Sequence, residues 1–208
     1  MKTLRLDELE GIPVFGTLSW KPVRKTLGVT AFGINAYSAA AAGDEVVEQH
    51  DETTLGHEEV YVVLAGHAIF TVDGEEVDAP AGTLVYLDDP KQTRQAVARE
   101  AGTTVLAVGG VPGTHEVSAW ELFFPALPYF ASGDYDSASR VLREGLEEKP
   151  GQPALLYHLA RAEALSGESD AALEHLNDAV ATAERFRGFA ASEEAFDSIR
   201  ADPRYPGS

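Results

Sequence analysis

The stretch Gly133-Asp-Tyr-Asp-Ser-Ala-Ser-Arg-Val-Leu-Arg-Glu-Gly-Leu146 is answered by Gly167-Glu-Ser-Asp-Ala-Ala-Leu-Glu-His-Leu-Asn-Asp-Ala-Val180. Gly133, Ala138, Leu142 and Leu146 return as Gly167, Ala172, Leu176 and Val180, each 34 positions later. Within a copy the last three stand at i, i+4 and i+8, one face of a helix. A 34-residue period is that of a stacked helix–turn–helix unit. Outward from the echo, the helical pattern runs from Trp120 to the end of the chain. Pro150 and Gly151 end the first helix, and 155–165 with 170–183 form a second pair around Ser166-Gly167. An amphipathic stretch at 193–200 precedes Pro203 and is expected to be a tail helix. Pro125 and Pro128 should kink or shorten the helix that contains them.

Upstream the period changes from helical to alternating. Candidate strands are 22–25, 29–37, 45–50, 58–64, 67–72, 75–78, 83–87, 94–98 and 103–108. Asp73-Gly74 between two of them is a hairpin signal, because a type I′ turn needs positive φ at both central residues. Many short strands at close spacing predict a sandwich or barrel rather than βαβ units. The Gly- and Pro-rich segment 108–116 reads as a linker. The chain therefore divides into a β domain over 1–115 and a helical domain over 119–208, a two-domain β + α class.

The 208 residues carry a net charge of −18, from 16 Lys+Arg against 34 Asp+Glu, and no cysteine. The acid is even: 8 basic and 18 acidic groups over 1–118, 8 and 16 over 119–208. No basic stripe exists to displace counterions from a phosphate backbone, so nucleic acid is not an expected partner. Anionic membranes would be repelled, and no apolar run has the length of a membrane span. Residues 1–14 hold three acids and no apolar core, so a signal peptide is not expected and the cytoplasm is the expected compartment. Without cysteine there is no disulfide, thiolate nucleophile or Cys-based zinc site.

The helical half resembles the tetratricopeptide repeat family. Leu156, Leu159, Ala160, Gly167, Ala172, Leu176 and Ala179 occupy its packing positions in one copy, and Leu122, Ala126, Tyr129, Gly133, Tyr135, Ala138, Leu142 and Pro150 in the other. Two copies fall short of the three usual for a free-standing array, so the tail helix is expected to cap one end. The resemblance implies partner binding on a concave face carrying Tyr157, Arg161 and Leu165. The alternative is that these residues pack on the tail.

The β half is similar to the cupin superfamily of jelly-roll barrels. His57-Glu-Glu-Val-Tyr-Val-Val-Leu-Ala-Gly66 resembles the end of the first cupin motif, Gly-x5-His-x-His-x3–4-Glu-x6-Gly, with Glu59 and Gly66 in register. The stretch Ala79-Pro-Ala-Gly-Thr-Leu-Val-Tyr-Leu-Asp-Asp-Pro90 resembles the start of the second. Counting back from Glu59 leaves no histidine at either ligand position; the second motif puts Thr93, or with a one-residue bulge Arg94, at the third. Period-two alternation still allows His50, His57 and Glu59 to hold Fe(II), Mn(II) or Zn(II). The other readings are a metal-free pocket, in which Arg94 meets a ligand carboxylate and Tyr61, Phe70 and Tyr86 form apolar walls, or a purely structural barrel. No nucleophile elbow, P-loop or dinucleotide fingerprint is present. The expected function is a non-catalytic, small-ligand-binding cupin joined to repeats that bind a protein partner or a second copy. The alternative is a metal-dependent oxygenase or isomerase acting on a small polar metabolite.

Overall fold

The computed structural model describes residues 1–14 and 16–206. Phe15, Gly207 and Ser208, which the expected domain ranges include, lie outside the described residues. Two compact units make up the chain, Met1–His115 and Glu116–Ser208. No helix among the described residues is long and apolar enough to cross a membrane.

The first unit contains β1 (Ile12–Pro13), β2 (Ser19–Lys21), α1 (Val23–Leu27), β3 (Gly33–Ser38), β4 (Glu45–His50), β5 (Glu58–Ala65), β6 (His67–Val72), β7 (Glu75–Pro80), β8 (Leu84–Leu87), β9 (Arg94–Ala98) and β10 (Thr104–Gly110). They form a six-stranded sheet, β1-β2-β3-β10-β5-β8, and a four-stranded sheet, β4-β9-β6-β7. All strand pairs are antiparallel. The order interleaves early and late strands, as a jelly roll requires. No strand of one sheet pairs with a strand of the other among the described residues, so two facing sheets stand where a closed barrel is expected. Their inner faces share one apolar core, in which Val46, Val47, Phe70 and Ala96 meet Tyr61, Val63, Leu87 and Val105. Each large side chain there contributes about 1.5–3 kcal/mol on leaving water.

Local chemistry sets the turns. Asp73 and Gly74 have φ of 50° and 89°, as the hairpin reading demands, and join β6 to β7. Gly66, at φ +73°, turns β5 into β6; a Cβ there would lie 2.6 Å from the Thr103 Cα. Residues 22–25 are not the strand predicted for them: Pro22 starts the short helix α1 and the left-handed Gly28 closes it. The segment read as a linker from 108 is strand as far as Gly110.

The second unit contains α2 (Ala119–Phe123), α3 (Leu127–Ser132), α4 (Tyr135–Glu148), α5 (Pro153–Ser166), α6 (Ser169–Thr182) and α7 (Arg185–Ser192). A 3-10 turn at Phe124–Ala126 separates α2 from α3, where Pro125 and Pro128 break the helix. The 34-residue echo is structural. Gly133 and Gly167 both take the left-handed conformation at helix ends, and Ala138, Leu142, Ala172 and Leu176 are all fully buried. The tail helix, α7, lies before the stretch expected to form it. The chain is extended at Glu193, so 194–196 make only one 3-10 turn. Phe186, Ala190, Phe196 and Ile199 nevertheless join the core beside α5 and α6.

Fully buried Glu163 ties the repeats together, accepting from Arg143 Nη2 at 2.8 Å and paired with His175 Nδ1 at 2.7 Å. This hydrogen bond holds His175 above its ordinary value of 6.5. Burial, then the Arg161 charge, pushes His158 down to about 3. The two act in opposite directions. The His175 contribution is full below pH 6.5 and is lost as pH rises through its folded-state pKa. Below pH 6.5 the unfolded chain binds a proton on His158 that the folded chain refuses, so acid costs about 1.4 kcal/mol per pH unit down to about 3. Helical ellipticity during chemical unfolding should therefore give greatest stability near pH 6.5. His158→Gln should flatten the acid side and His175→Gln the alkaline side; unchanged slopes would contradict this assignment.

Candidate functional site

The two sheets bring together side chains that are far apart in sequence. His50 ends β4 and lies opposite Arg94, which begins β9. Glu59 and Tyr61 project inward from β5, and Asn35 and Tyr37 from β3, by the two-residue period of a strand. Residues 53–56 turn, so that Glu52 follows β4 into the same space; its backbone is held by Glu52 N–H to Pro90 C=O at 2.8 Å. A cavity of about 260 Å³ opens between the sheets, lined by Asn35, Tyr37, His50, Glu52, Glu59 and Tyr61 among others.

Three groups in it converge. One ligating atom each from His50, Glu52 and Glu59 lies within 4.8 Å of the other two. His50 Nδ1–H donates to the Glu48 carbonyl at 2.8 Å, which leaves Nε2 directed at the cluster. Nε2 is 3.7 Å from Glu52 Oε1, 3.8 Å from Glu59 Oε2 and 3.5 Å from the Tyr61 hydroxyl. The Tyr61 hydroxyl donates to Glu59 Oε2. Burial, then the Glu59 charge, pushes the Tyr61 hydroxyl far up, so it keeps its proton. Burial works to raise Glu59, but bonds from His50 and Tyr61 and the Arg94 charge outweigh it and hold the carboxyl below its ordinary range. Glu52 is raised, by burial first and then by Glu59. His50 is raised chiefly by its bond to Glu59.

Two buried oxygens facing this cavity, Glu52 Oε2 and Asn35 Oδ1, have no hydrogen-bond partner among the described residues. Buried polar atoms rarely stay so, and each such atom points to a missing partner. One imidazole nitrogen and two carboxylates, with the far imidazole nitrogen anchored on a carbonyl, form a donor set that fits a hard or borderline divalent cation.

The expected site residues fall in different places. His50, Glu59 and Tyr61 meet in the cavity. His57 lies at its edge, with Nδ1 3.6 Å from Glu52 Oε2, and is not one of the three converging groups. Phe70 is fully buried behind Tyr61, ring centroids 5.5 Å apart. Arg94 is 0 % exposed; its Nε is 3.7 Å from Glu59 Oε2, and it is not among the cavity-lining residues. Tyr86 does not join them. On β8, Val85 and Leu87 point inward, so Tyr86 is 57 % exposed on the outer face and donates to Glu58 Oε2 at 2.8 Å. In the helical unit Tyr157 is buried among Phe186, Phe196 and their neighbours. Arg161 pairs with Glu193 at 2.9 Å and lies over Phe130, and Leu165 is 38 % exposed.

Motif counting back from Glu59 reaches Glu52 only as one of two options for the first histidine position, and period two puts it on the face of His50. His50-Asp51-Glu52 keeps the His-x-ligand spacing of the first cupin motif with an acid in second place. Six residues, not three or four, separate Glu52 from Glu59, so counting back from Glu59 lands in the turn. The register irregularity between β4 and β9 places Arg94 opposite His50, where the bulged alignment of the second motif puts it.

Residues 129–188 match the tetratricopeptide repeat family model. None of the curated proteins matches the chain. Cupin-superfamily structures match about half of it. A cupin protein from Bacteroides fragilis is 23% identical, TM-score 0.40, over 54% of this chain and 92% of its own. A sugar phosphate isomerase from a cupin superfamily, from Silicibacter pomeroyi DSS-3, is 20% identical, TM-score 0.43, over 52% and 74%. A predicted oxalate decarboxylase from Thermotoga maritima is 17% identical, TM-score 0.44, over 53% and 99%. The strand order carries the fold assignment; those proteins' names carry no activity over to this chain.

Gly109 on β10 makes room for Glu59: a Cβ there would lie 3.0 Å from the Glu59 Cγ and 3.3 Å from its Oε1. Gly109→Ala should push the carboxylate from its partners. The His50 pKa, followed by proton NMR, should then fall toward 6.5, since the bond to Glu59 is what raises it. An unchanged titration would show that Glu59 does not set it.

Proposed function

We propose that the N-terminal unit is a small-ligand-binding cupin organised around one divalent cation, held by His50 Nε2 and the carboxylates of Glu52 and Glu59. The helical unit serves as an interaction module for a protein partner or a second copy. The observation that carries the metal reading is the convergence of His50, Glu52 and Glu59, with the Nε2 of His50 left free by the Nδ1 bond to the Glu48 carbonyl. The nitrogen–oxygen donor set favours Mn(II) or Fe(II), with Zn(II) a third candidate. A cation bound there would polarise a carbonyl or hydroxyl oxygen of the ligand. Asn35 offers that ligand an unpartnered amide oxygen, and Tyr37 lines the same space. Arg94 reaches the ligand only through Glu59, whose charge it balances from behind.

A metal-dependent isomerase or oxygenase is the second reading, favoured by Glu52. A carboxyl raised by burial at a cavity wall suits a general base. Manganese-dependent turnover of a small hydroxy- or keto-compound, lost in Glu52→Gln, would select it over simple binding.

The metal assignment has a direct check. Protein freed of metal and dialysed against Mn(II) should take up about one ion per chain, and His50→Ala or Glu52→Gln should abolish uptake. His57→Ala should leave it near one. Uptake should strengthen as pH rises and protons leave His50 and Glu52. Stoichiometric uptake that survives Glu52→Gln but is lost in His57→Ala would transfer the site to His50, His57 and Glu59.

A further inference from the structure

A second cavity, of about 640 Å³, lies within the helical unit. Its floor is aromatic and buried: Phe123, Tyr157 and Phe186 are 5–6 % exposed. Its rim is aromatic and open, with Trp120 63 % and Phe189 55 % exposed. Exposed aromatic rings of this size are costly to leave in water and are typical of ligand sites.

Charge says what the cavity takes. Residues 119–208 hold 16 acids, yet no Asp or Glu lines this space. Its one formal charge is Arg185, whose guanidinium carbon lies 5.2 Å from the centroid of the Phe186 ring. Seven arginines belong to this unit, at 140, 143, 161, 185, 187, 200 and 204. Six of them lie within 4.0 Å of a carboxylate oxygen. Arg185 alone has no carboxylate or carbonyl partner among the described residues. The neighbouring Glu184 is taken by Arg187 instead, at 2.6 Å.

His158 adds a neutral donor. It stacks on Phe123 with centroids 3.7 Å apart and planes 10° from parallel. Arg161 Nη1 donates to its Nδ1 at 3.1 Å, so the ring proton sits on Nε2. Burial keeps the ring uncharged, with its pKa at about 3. An aromatic cup with one unpaired guanidinium, one neutral N–H donor and no acid selects against cations and for an apolar body bearing one negative charge.

We propose that this cavity binds a small aromatic carboxylic acid, its ring among Trp120, Phe123 and Phe189 and its carboxylate paired with Arg185. A guanidinium matches a carboxylate with two parallel hydrogen bonds, which an amide cannot reproduce. The site belongs to the helical unit and stands whether or not the N-terminal unit holds metal.

The test uses the full chain and 3-phenylpropanoate as probe, with binding read by calorimetry and by tryptophan fluorescence. The acid should bind at least about tenfold more tightly than 3-phenylpropanamide. Arg185→Gln should remove that preference, bringing the acid down to the amide without changing the amide. Phe189→Ala should weaken both. Arg185 is exposed, so its replacement should leave helical ellipticity and Mn(II) uptake unchanged, which separates this outcome from failure of the metal reading. Equal binding of acid and amide, indifference to Arg185→Gln, or no binding of the acid would overturn the proposal. So would a Gly-Gly-Gly-Ser-Phe peptide with a free C-terminus binding more than tenfold tighter than the small acid, because the occupant would then be a protein end.

Discussion

The N-terminal unit depends on keeping one guanidinium charged inside a core of valine, alanine and phenylalanine. Arg94 is fully buried, and all three of its nitrogens lack hydrogen-bond partners among the described residues. Removing such a group from water costs several kcal/mol unless an opposite charge offsets it. Glu59 supplies that charge at 3.7 Å, and Arg94, after His50 and Tyr61, helps to hold Glu59 below its ordinary range against burial. The other parts of the site follow from this pair. Tyr61 donates to Glu59 because an ionised carboxylate is there to accept. His50 gains basicity from the same carboxylate, while burial and then the Glu59 charge push Glu52 upward against the histidines beside it. The two neighbouring acids thus shift in opposite directions, Glu59 down and Glu52 up. Gly109 belongs to the same constraint, since Glu59 reaches this position only where the facing strand has no side chain.

The helical unit solves its charge problem differently. Its acids are spread over helix surfaces, and most of its arginines are spent on short-range pairs that each stabilise by at most about 1 kcal/mol. The exception is Glu163, sealed at 0 % exposure between α4, α5 and α6 and satisfied from both sides by Arg143 and His175. That triad links α4 of the first repeat to α5 and α6 of the second. By contrast Arg185, at the aromatic cavity, has no carboxylate partner among the described residues.

The fold was readable wherever one local rule decided. Period 34 with glycine at the left-handed turns gave the repeats, and Asp73-Gly74 gave its hairpin, because both depend on backbone conformations few residues tolerate. Errors arose where tertiary contacts outvote local pattern. Residues 22–25 alternate like a strand, but Pro22 and Gly28 bracket a helical turn. The tail reads as amphipathic from 193, yet the chain extends at Glu193 and buries Phe196 and Ile199 without a continuous helix. In the site, inward and outward faces cannot be told apart from alternation alone: Glu59 lies on the inner face of β5, and Tyr86 on the outer face of β8. Glu52 shares the face of His50 by period two, but the six residues between it and Glu59 leave it outside the ligand set that the motif spacing suggests. The sequence suggests Arg94 as the partner of a ligand carboxylate; that it faces an internal one, Glu59, follows only from the cross-strand register of β4 and β9.

The central claim is that His50, Glu52 and Glu59 act as one cation-binding constellation balanced from behind by Arg94. Crystallography of the Mn(II)-loaded protein with data collected at the manganese absorption edge tests it most directly. The account requires one strong anomalous peak in the cavity, about 2.0–2.3 Å from His50 Nε2 and from a carboxylate oxygen of each of Glu52 and Glu59, with Arg94 still on Glu59. An anomalous peak at His57 without Glu59, or a loaded protein with no peak between the sheets, would contradict it.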